Sequence, residues 1–322
     1  MTDMNNFLEI LAAKYGQGSI VTNRNVYDTA IELGIPPPHR FFRQHLSVGR
    51  GQWRLASNLN KSEPVMDTET DDQVSNRIAD RFTTMSGMVD ATVAGRNRAV
   101  IISGPPGVGK SHSIIQALQD LDESMWTIVK GFVRPTGLYK TLYEYREHGQ
   151  VVVFDDADSI FFDDISLNIL KSACDSTRTR RLSWLAETKM EDEAGERLPR
   201  SFEFNGSIVF LTNYDFDTII ARNGKLAPHF EAMISRSHYV DLALKTPREY
   251  LIRIRQVVMS GMLNDSGINN RQAEELMAFM TEKQSTIREL SLRMILKLAD
   301  LMTISPHGWK KLAVITCCRA KQ

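Results

Sequence analysis

Short apolar runs alternate with helical patterns through the middle of this chain. The runs have little polar alternation, which is typical of strands buried on both faces of a parallel sheet. They occupy residues 99–102, 126–129, 151–154 and 208–211. The segments between them place apolar residues at helical spacing, as in Ile114, Leu118 and Leu121. This alternation predicts an α/β fold, a doubly wound parallel sheet with helices on both faces.

Residues 1–56 are predicted to form a small separate domain of the winged-helix type. After a first helical stripe, a second helix is capped by Thr22 or Asn23 and ended by Gly34. A third helix follows a run of three prolines. Two short extended pieces around a tight turn lie within 48–55. The order helix, helix, helix and ribbon is that of a winged helix.

A polar, acidic stretch separates this domain from the rest of the chain. Residues 57–72 have almost no apolar periodicity and are predicted to be a flexible linker. Helical spacing resumes at 73, and residues 73–245 are assigned to the α/β core.

Composition narrows the class of protein. Lysine and arginine number 39, as do aspartate and glutamate, so overall charge indicates neither nucleic acid nor a membrane surface. Cys174, Cys317 and Cys318 lack paired spacing, which favours a reducing compartment over a disulfide scaffold. No leader-like or membrane-spanning apolar run is evident. The sequence predicts a cytoplasmic protein (host cytoplasm if viral) without a membrane partner.

One local segment is basic. Residues 38–55 contain four arginines, two histidines and no carboxylate, with Phe41, Phe42 and Trp53 interleaved. This composition is typical of a face that contacts DNA phosphates. The alternative is equally open: the aromatics form the small domain's core, the arginines are solvated, and the domain docks a protein.

The first apolar run leads into a phosphate-binding motif. Residues 104–111 fit G-x-x-x-x-G-K-[ST] in full, between a predicted strand and a predicted helix. Glycines let successive N–H groups point at phosphate oxygens, Lys110 supplies positive charge, and the Ser111 hydroxyl ligates Mg²⁺. The residues assigned to nucleotide binding here are Gly104, Pro105, Pro106, Gly107, Val108, Gly109, Lys110, Ser111 and His112.

With a second motif, the chain resembles the AAA+ ATPases over residues 75–320. The run 151–154 ends in Asp155 and Asp156, as in a Walker B motif. The resemblance implies that Asp155 holds Mg²⁺ and that Asp156 polarises the attacking water. The family usually has glutamate where this chain has Asp156, so Asp158 is an alternative base.

Three further site residues follow from the resemblance. Asn213 matches the sensor-1 position that orients water near the γ-phosphate. Arg236 matches the arginine finger supplied to a neighbouring subunit, with Arg222 in reserve. Residues 246–322 correspond to the helical lid, where Arg293 is assigned to sensor 2 and Arg288 is the alternative.

The family resemblance also suggests how the chain works. Segments 181–186 and 201–204 read as a hairpin before the sensor-1 strand, and residues 130–133 are a weak candidate for a substrate-gripping loop. The expected function is ATP hydrolysis, with ATP and Mg²⁺, by a homo-oligomeric ring of the hexamer type that remodels nucleic acid or a nucleoprotein complex. The alternatives are a nucleotide-gated DNA-binding switch with little turnover and a protein-remodelling chaperone.

Overall fold

The computed structural model divides into two compact units, residues 1–68 and 69–322. The structure describes residues 7, 10–11, 13–16, 19–33, 47–49, 52–54, 69–186, 190–191 and 195–319.

The first unit contains a small antiparallel sheet. Strand β1 (Ile20–Thr22) pairs with β3 (Gln52–Arg54), which also pairs with β2 (Ser47–Gly49). Helix α1 (Asn23–Glu32) follows β1 directly and is capped by Thr22, whose hydroxyl accepts from the backbone N–H of Asn25. The predicted Thr22 cap and the predicted ribbon are therefore observed, whereas β1 was not predicted.

Other predictions for this unit fall outside the described residues. They are Gly34 as the helix end, the third helix, and most of the basic segment 38–55. The winged-helix assignment of residues 1–56 therefore stays a prediction, as does a flexible linker over most of 57–72.

The second unit is built on a five-stranded parallel sheet. Its strands are β4 (Ala99–Ser103), β5 (Trp126–Lys130), β6 (Val151–Asp155), β9 (Ser207–Thr212) and β10 (His238–Asp241). They lie in the order β10-β4-β9-β6-β5. The residues of β4, β6 and β9 are all buried, as their unbroken apolar runs predict. Strand β9 lies between β4, which enters the phosphate loop, and β6, which ends in Asp155. This arrangement places the phosphate motif and Asp155 at the carboxyl edge of one sheet, as predicted.

Helices cover both faces of this sheet. They are α2 (Asp71–Val93), α3 (Lys110–Leu118), α4 (Pro135–Glu144), α5 (Asp164–Ala173), α6 (Phe216–Ala221) and α7 (Ala227–Arg236). Alternate residues along the strands enter different cores: Ile101 and Phe154 pack in one cluster, and Val100 and Val153 in another. The predicted doubly wound fold is confirmed.

Helix α2 begins two residues before the predicted boundary at 73. Thr70 caps it: its hydroxyl accepts from the N–H of Gln73, and its own N–H donates to the Gln73 side chain at 2.8 Å. Asp71 and Asp72 lie in the first turn, where carboxylates interact favourably with the helix dipole. The acidic residues predicted to end a linker instead start a helix.

The C-terminal part of this unit is a layer of four helices. They are α8 (Pro247–Val257), α9 (Asn270–Glu282), α10 (Leu292–Ile304) and α11 (Trp309–Cys317). These helices share a separate core that includes Ile254, Leu276 and Ile295. The predicted helical lid is confirmed, with α11 as an additional element.

The predicted hairpin is also present. Strands β7 (Arg181–Ser183) and β8 (Ser201–Glu203) pair antiparallel. Arg180 holds its base, because the buried guanidinium donates to the carbonyls of Ala173 and Gly206, each at 2.9 Å. Burial lowers the pKa of Arg180 to about 10.

Cys174, Cys317 and Cys318 are all buried and free. Within the described ranges, no helix is both long enough and apolar enough to cross a membrane.

Candidate nucleotide-binding site

The phosphate loop connects β4 to α3 in a tight turn. Gly107 and Gly109 have positive φ angles of 72° and 104°, which glycine adopts without steric cost. A Cβ on Gly107 would lie 2.7 Å from the Cβ of Ser291, and one on Gly104 would lie 2.9 Å from the Cβ of Leu242. The glycines therefore give the loop its shape and let the neighbouring chain approach it closely.

Lys110 is the central cation of the site. Its ammonium donates to Asn213 Oδ1 at 2.8 Å, to the Pro105 carbonyl at 3.0 Å and to the Gly104 carbonyl. Burial lowers its pKa to about 8, although the carboxylates of Asp156 and Asp155 oppose this shift. The amine is thus fixed at the carboxyl edge of the sheet before any phosphate binds.

Ser111 and Asp155 form the predicted metal pair. Ser111 Oγ donates to Asp155 Oδ1 at 3.1 Å, and the other carboxylate oxygen lies 3.0 Å from the ammonium of Lys130. A hydroxyl and one carboxylate suit Mg²⁺, which completes its shell with water and substrate phosphates. No group of three or more His, Cys, Asp or Glu side chains suited to a metal occurs among the described residues. The donor set therefore fits a nucleotide-borne Mg²⁺.

Asp156 and Asp158 have different environments. Asp156 is exposed and accepts from Asn213 Nδ2 at 2.9 Å, and its positive φ of 53° turns it away from the strand direction. Asp158 accepts from the Thr212 hydroxyl at 2.6 Å, and burial raises its pKa. The geometry therefore favours Asp156 as the carboxylate available to a substrate.

These groups line a cavity of about 1060 Å³ between the sheet edge and the helical lid. Its lining includes most of the predicted site: Pro106, Gly107, Gly109, Lys110, Ser111, His112, Asp155, Asp156, Asn213 and Arg293. Gly104, Pro105 and Val108 are outside the lining. They support it instead, because Val108 is buried and the other two accept from Lys110.

The lid contacts the phosphate loop at the start of α10. The N–H of Leu292 donates to the Gly107 carbonyl at 2.7 Å, which places the exposed Arg293 on the cavity. Arg288 is outside the lining, and its N–H donates to the Cys317 carbonyl at 2.9 Å. The structure thus favours Arg293 over Arg288 at the predicted sensor-2 position.

Arg236 occupies a different part of the molecule. It ends α7, donates to the Ala232 carbonyl at 3.0 Å, and has its Nε 3.9 Å from Asp175 Oδ1. It does not line the cavity of its own chain. The reserve candidate, Arg222, is exposed and borders a second groove beside Phe162 and Tyr214. Neither arginine is brought to the phosphate loop within one subunit.

Comparison with known proteins gives one strong match. A protein of Enterobacteria phage T4, described as an uncharacterized 36.7 kDa protein in the nrdC-mobD intergenic region, is 35% identical over 272 residues, which cover 82% of each chain. The chain belongs to the same family as this phage T4 protein. No protein-family model matches the present chain.

Solved structures show weaker likenesses. The Thermotoga maritima RuvB Holliday junction branch migration motor is 16% identical, with a TM-score of 0.42, over 74% of this chain and 68% of that chain. NtrX from Brucella abortus in complex with ATP is 14% identical, with a TM-score of 0.43, over 71% and 52%.

One cavity residue of this family member was not predicted. The Arg253 guanidinium lies 3.4 Å from the centroid of the Phe82 ring, and its Nε approaches the Val108 carbonyl at 3.4 Å. It forms no ion pair with a carboxylate of the described chain, and burial lowers its pKa to about 10. The sequence signal that could have indicated Arg253 is its position on the apolar stripe of α8, three residues after Tyr250, where a charged residue is unusual.

Proposed function

We propose that this chain is a Mg²⁺-dependent ATPase of the AAA+ type that acts as a homo-oligomeric ring and remodels a macromolecular target. The observation that carries the proposal is the run of contacts from Lys110 through Asn213 to Asp156 at the carboxyl edge of the sheet. The ammonium of Lys110, the amide of Asn213 and the carboxylate of Asp156 thus lie side by side, which supports assigning them to phosphate binding, water orientation and proton acceptance.

Each group has one task in this proposal. Lys110 and the N–H groups of the phosphate loop bind the outer phosphates of ATP. Ser111 and Asp155 hold Mg²⁺, which neutralises phosphate charge when bound. Asn213 orients a water molecule, and Asp156 accepts its proton as the water oxygen bonds to the γ-phosphorus. The bond to the β,γ-bridging oxygen breaks, and the products are ADP and phosphate.

Aspartate at position 156 supports a second candidate function. Its side chain is one methylene shorter than the glutamate usual in AAA+ ATPases, so it must approach the water more closely. A nucleotide-gated DNA-binding switch with little turnover would tolerate this geometry. The measured rate of hydrolysis distinguishes the switch from the motor.

Assembly into a ring is proposed from the position of Arg236. The guanidinium is at the end of α7, outside the cavity of its own subunit. As an arginine finger it would stabilise charge on the phosphoryl group held by a neighbouring copy. A hexamer-type ring has that arrangement at every interface.

The target is proposed from the sequence of the first unit. The basic, aromatic segment 38–55 favours DNA or a nucleoprotein complex, and protein remodelling through an adaptor is the alternative. The protein itself would be located in the cytoplasm, or in the host cytoplasm if it is a phage protein.

The test is ATPase rate and particle mass of the full chain with no addition, single-stranded DNA, double-stranded DNA or an unfolded protein. The proposal expects hydrolysis, assembly with ATP, and stimulation by DNA in a salt-dependent manner. Stimulation by unfolded protein alone would favour the chaperone. Nucleotide binding without turnover in any condition would favour the nucleotide-gated switch. Normal target assembly by a Lys110→Ala variant that binds no ATP would exclude the motor function.

A further inference from the structure

The ammonium group of Lys130 forms an ion pair with one carboxylate oxygen of Asp155, the predicted metal ligand. Lys130 is the last residue of β5 and lies opposite Asp155 in the register with β6. Its Nζ is 3.0 Å from Asp155 Oδ2. The Asp155 side chain is only 8% exposed, whereas that of Lys130 is 61% exposed. Lys130 therefore reaches from the solvent to a nearly buried carboxylate, as long cationic side chains commonly do.

Both oxygens of Asp155 are engaged within the chain. Oδ1 accepts from Ser111 Oγ at 3.1 Å, and Oδ2 accepts from Lys130. A divalent cation held by Ser111 and Asp155 would lie close to the Lys130 ammonium. Two cations on one nearly buried carboxylate repel each other strongly, because the local dielectric screens them less than water does. Asp155 can thus hold the ammonium or the metal, but not both at full strength.

We propose that Lys130 is an internal competitor for Mg²⁺: it pairs with Asp155 in the nucleotide-free protein and is displaced when the metal nucleotide binds. This inference rests on the proposed ATPase function and specifies how its metal site is controlled. It makes Lys130 a determinant of the Mg²⁺ requirement. The displaced ammonium needs no new partner, since the side chain is already largely in water.

The first experiment measures metal binding rather than turnover. A fluorescent ATP analogue bound to the full chain is titrated with Mg²⁺ in wild type, Lys130→Met and Lys130→Arg. Lys130→Met should lower the half-saturating Mg²⁺ concentration about fivefold, which corresponds to about 1 kcal/mol, while Lys130→Arg stays near wild type. Lys225→Met is the matched control, because Lys225 makes a similar ion pair with Asp164 at 2.9 Å outside the cavity.

The second experiment tests displacement directly. Acylation of lysines is followed by mass spectrometry with the nucleotide alone and with the nucleotide plus Mg²⁺. Modification of Lys130 should become faster when Mg²⁺ is added, and that of Lys225 should not change. Equal reactivity of Lys130 in both states, or an unchanged or higher Mg²⁺ requirement in Lys130→Met, overturns the proposal.

Failure of the proposed function gives a different result. In that case the wild-type chain binds no nucleotide, or Mg²⁺ has no effect on binding in wild type and in an Asp155→Asn variant alike. Where Asp155→Asn weakens metal binding but Lys130→Met does not strengthen it, the metal site stands and competition by Lys130 is wrong.

Discussion

The phosphate edge of the sheet and the Arg236 end of α7 are organised in opposite ways. At the phosphate edge, Lys110, Asn213 and Asp156 are joined by hydrogen bonds of 2.8 Å and 2.9 Å within one chain. At the other end, Arg236 contacts the carbonyl of its own helix and approaches Asp175 at 3.9 Å. Its buried Nε has no hydrogen-bond partner among the described residues.

This difference indicates which half of the site is already complete when a single chain has folded. The phosphate edge is preorganised, so its groups lose little freedom when substrate binds. Arg236 has no such network, and its weak local contacts leave the guanidinium available to another molecule. In the proposed ATPase, the binding half of the site would belong to the monomer, and the half that neutralises transition-state charge would belong to the assembly.

The largest test of this contrast is Arg236→Ala. If Arg236 acts across an interface, the variant should lose about 10³-fold in ATPase rate while it still binds ATP, because arginine fingers act mainly in the transition state. Wild type diluted with variant subunits should lose more activity than dilution alone predicts. Arg222→Ala is the matched control, and the same loss in Arg222→Ala with none in Arg236→Ala would exchange their roles.

Within the phosphate edge, Asp156→Asn separates the base from its neighbours. The asparagine keeps an oxygen for Asn213 but cannot accept a proton, so hydrolysis should fall about 10²-fold with ATP affinity retained. Asp158→Asn should have a smaller effect, since an amide oxygen still accepts from Thr212. Single-turnover rates decide between them, and the reverse ranking would assign the base to Asp158.

The next prediction concerns Arg253, which lies on helix α8 of the lid and contacts Phe82 of α2 in the core. The half-buried guanidinium of Arg253 has no carboxylate partner among the described residues, so an anionic ligand should interact with it strongly. The Arg253→Met variant should bind ATP at least about tenfold more weakly while its melting temperature stays equal or rises. Arg255→Met is the control, because Arg255 pairs with Glu274 at the surface at 2.7 Å. Unchanged ATP affinity would exclude Arg253 from nucleotide binding.

The smallest predicted effect is on pH dependence. With the pKa of Lys110 near 8, about half of the empty protein has a neutral amine at pH 8, and ATP affinity should fall about twofold between pH 7 and pH 8. Calorimetry at several pH values measures this, and the residual binding of Lys110→Met should not share the slope. Because the folded-state pKa lies below the unfolded value of 10.5, this group's contribution to the free energy of unfolding rises between about pH 8 and 10.5. A constant affinity up to pH 9 would contradict the lowered pKa.

Features that are local in sequence could be predicted from it. Fully apolar runs mark strands such as β4 and β6, because a buried parallel strand has no solvent face to alternate. The phosphate motif is contiguous, and Asp155 and Asp156 directly follow their strand. The sequence also predicted Thr22 or Asn23 as the cap of α1, of which Thr22 is observed, and the hairpin at 181–186 and 201–204.

Features that depend on distant contacts could not be predicted. Strand β1 has only three residues, and its exposed first residue, Ile20, is apolar, so the sequence shows no alternation of apolar and polar positions there. The Arg253–Phe82 stack and the Lys130–Asp155 pair join segments far apart in the chain. Helix α11 buries Trp309, Ala313 and Cys317, a helical spacing made inconspicuous by small side chains. The start of α2 was misplaced because its capping acids resemble linker composition.

The docking of Ser291 and Leu292 on Gly107 has a mechanical consequence. The backbone bond from Leu292 to the Gly107 carbonyl joins the root of α10 to the phosphate loop without any intervening side chain. Because the helix that begins at this bond is thirteen residues long, a rotation about the bond would move its far end much more than its start. The phosphate loop is therefore also a pivot for α10. A side chain at position 107 would clash with Ser291 and push the start of α10 away from the loop.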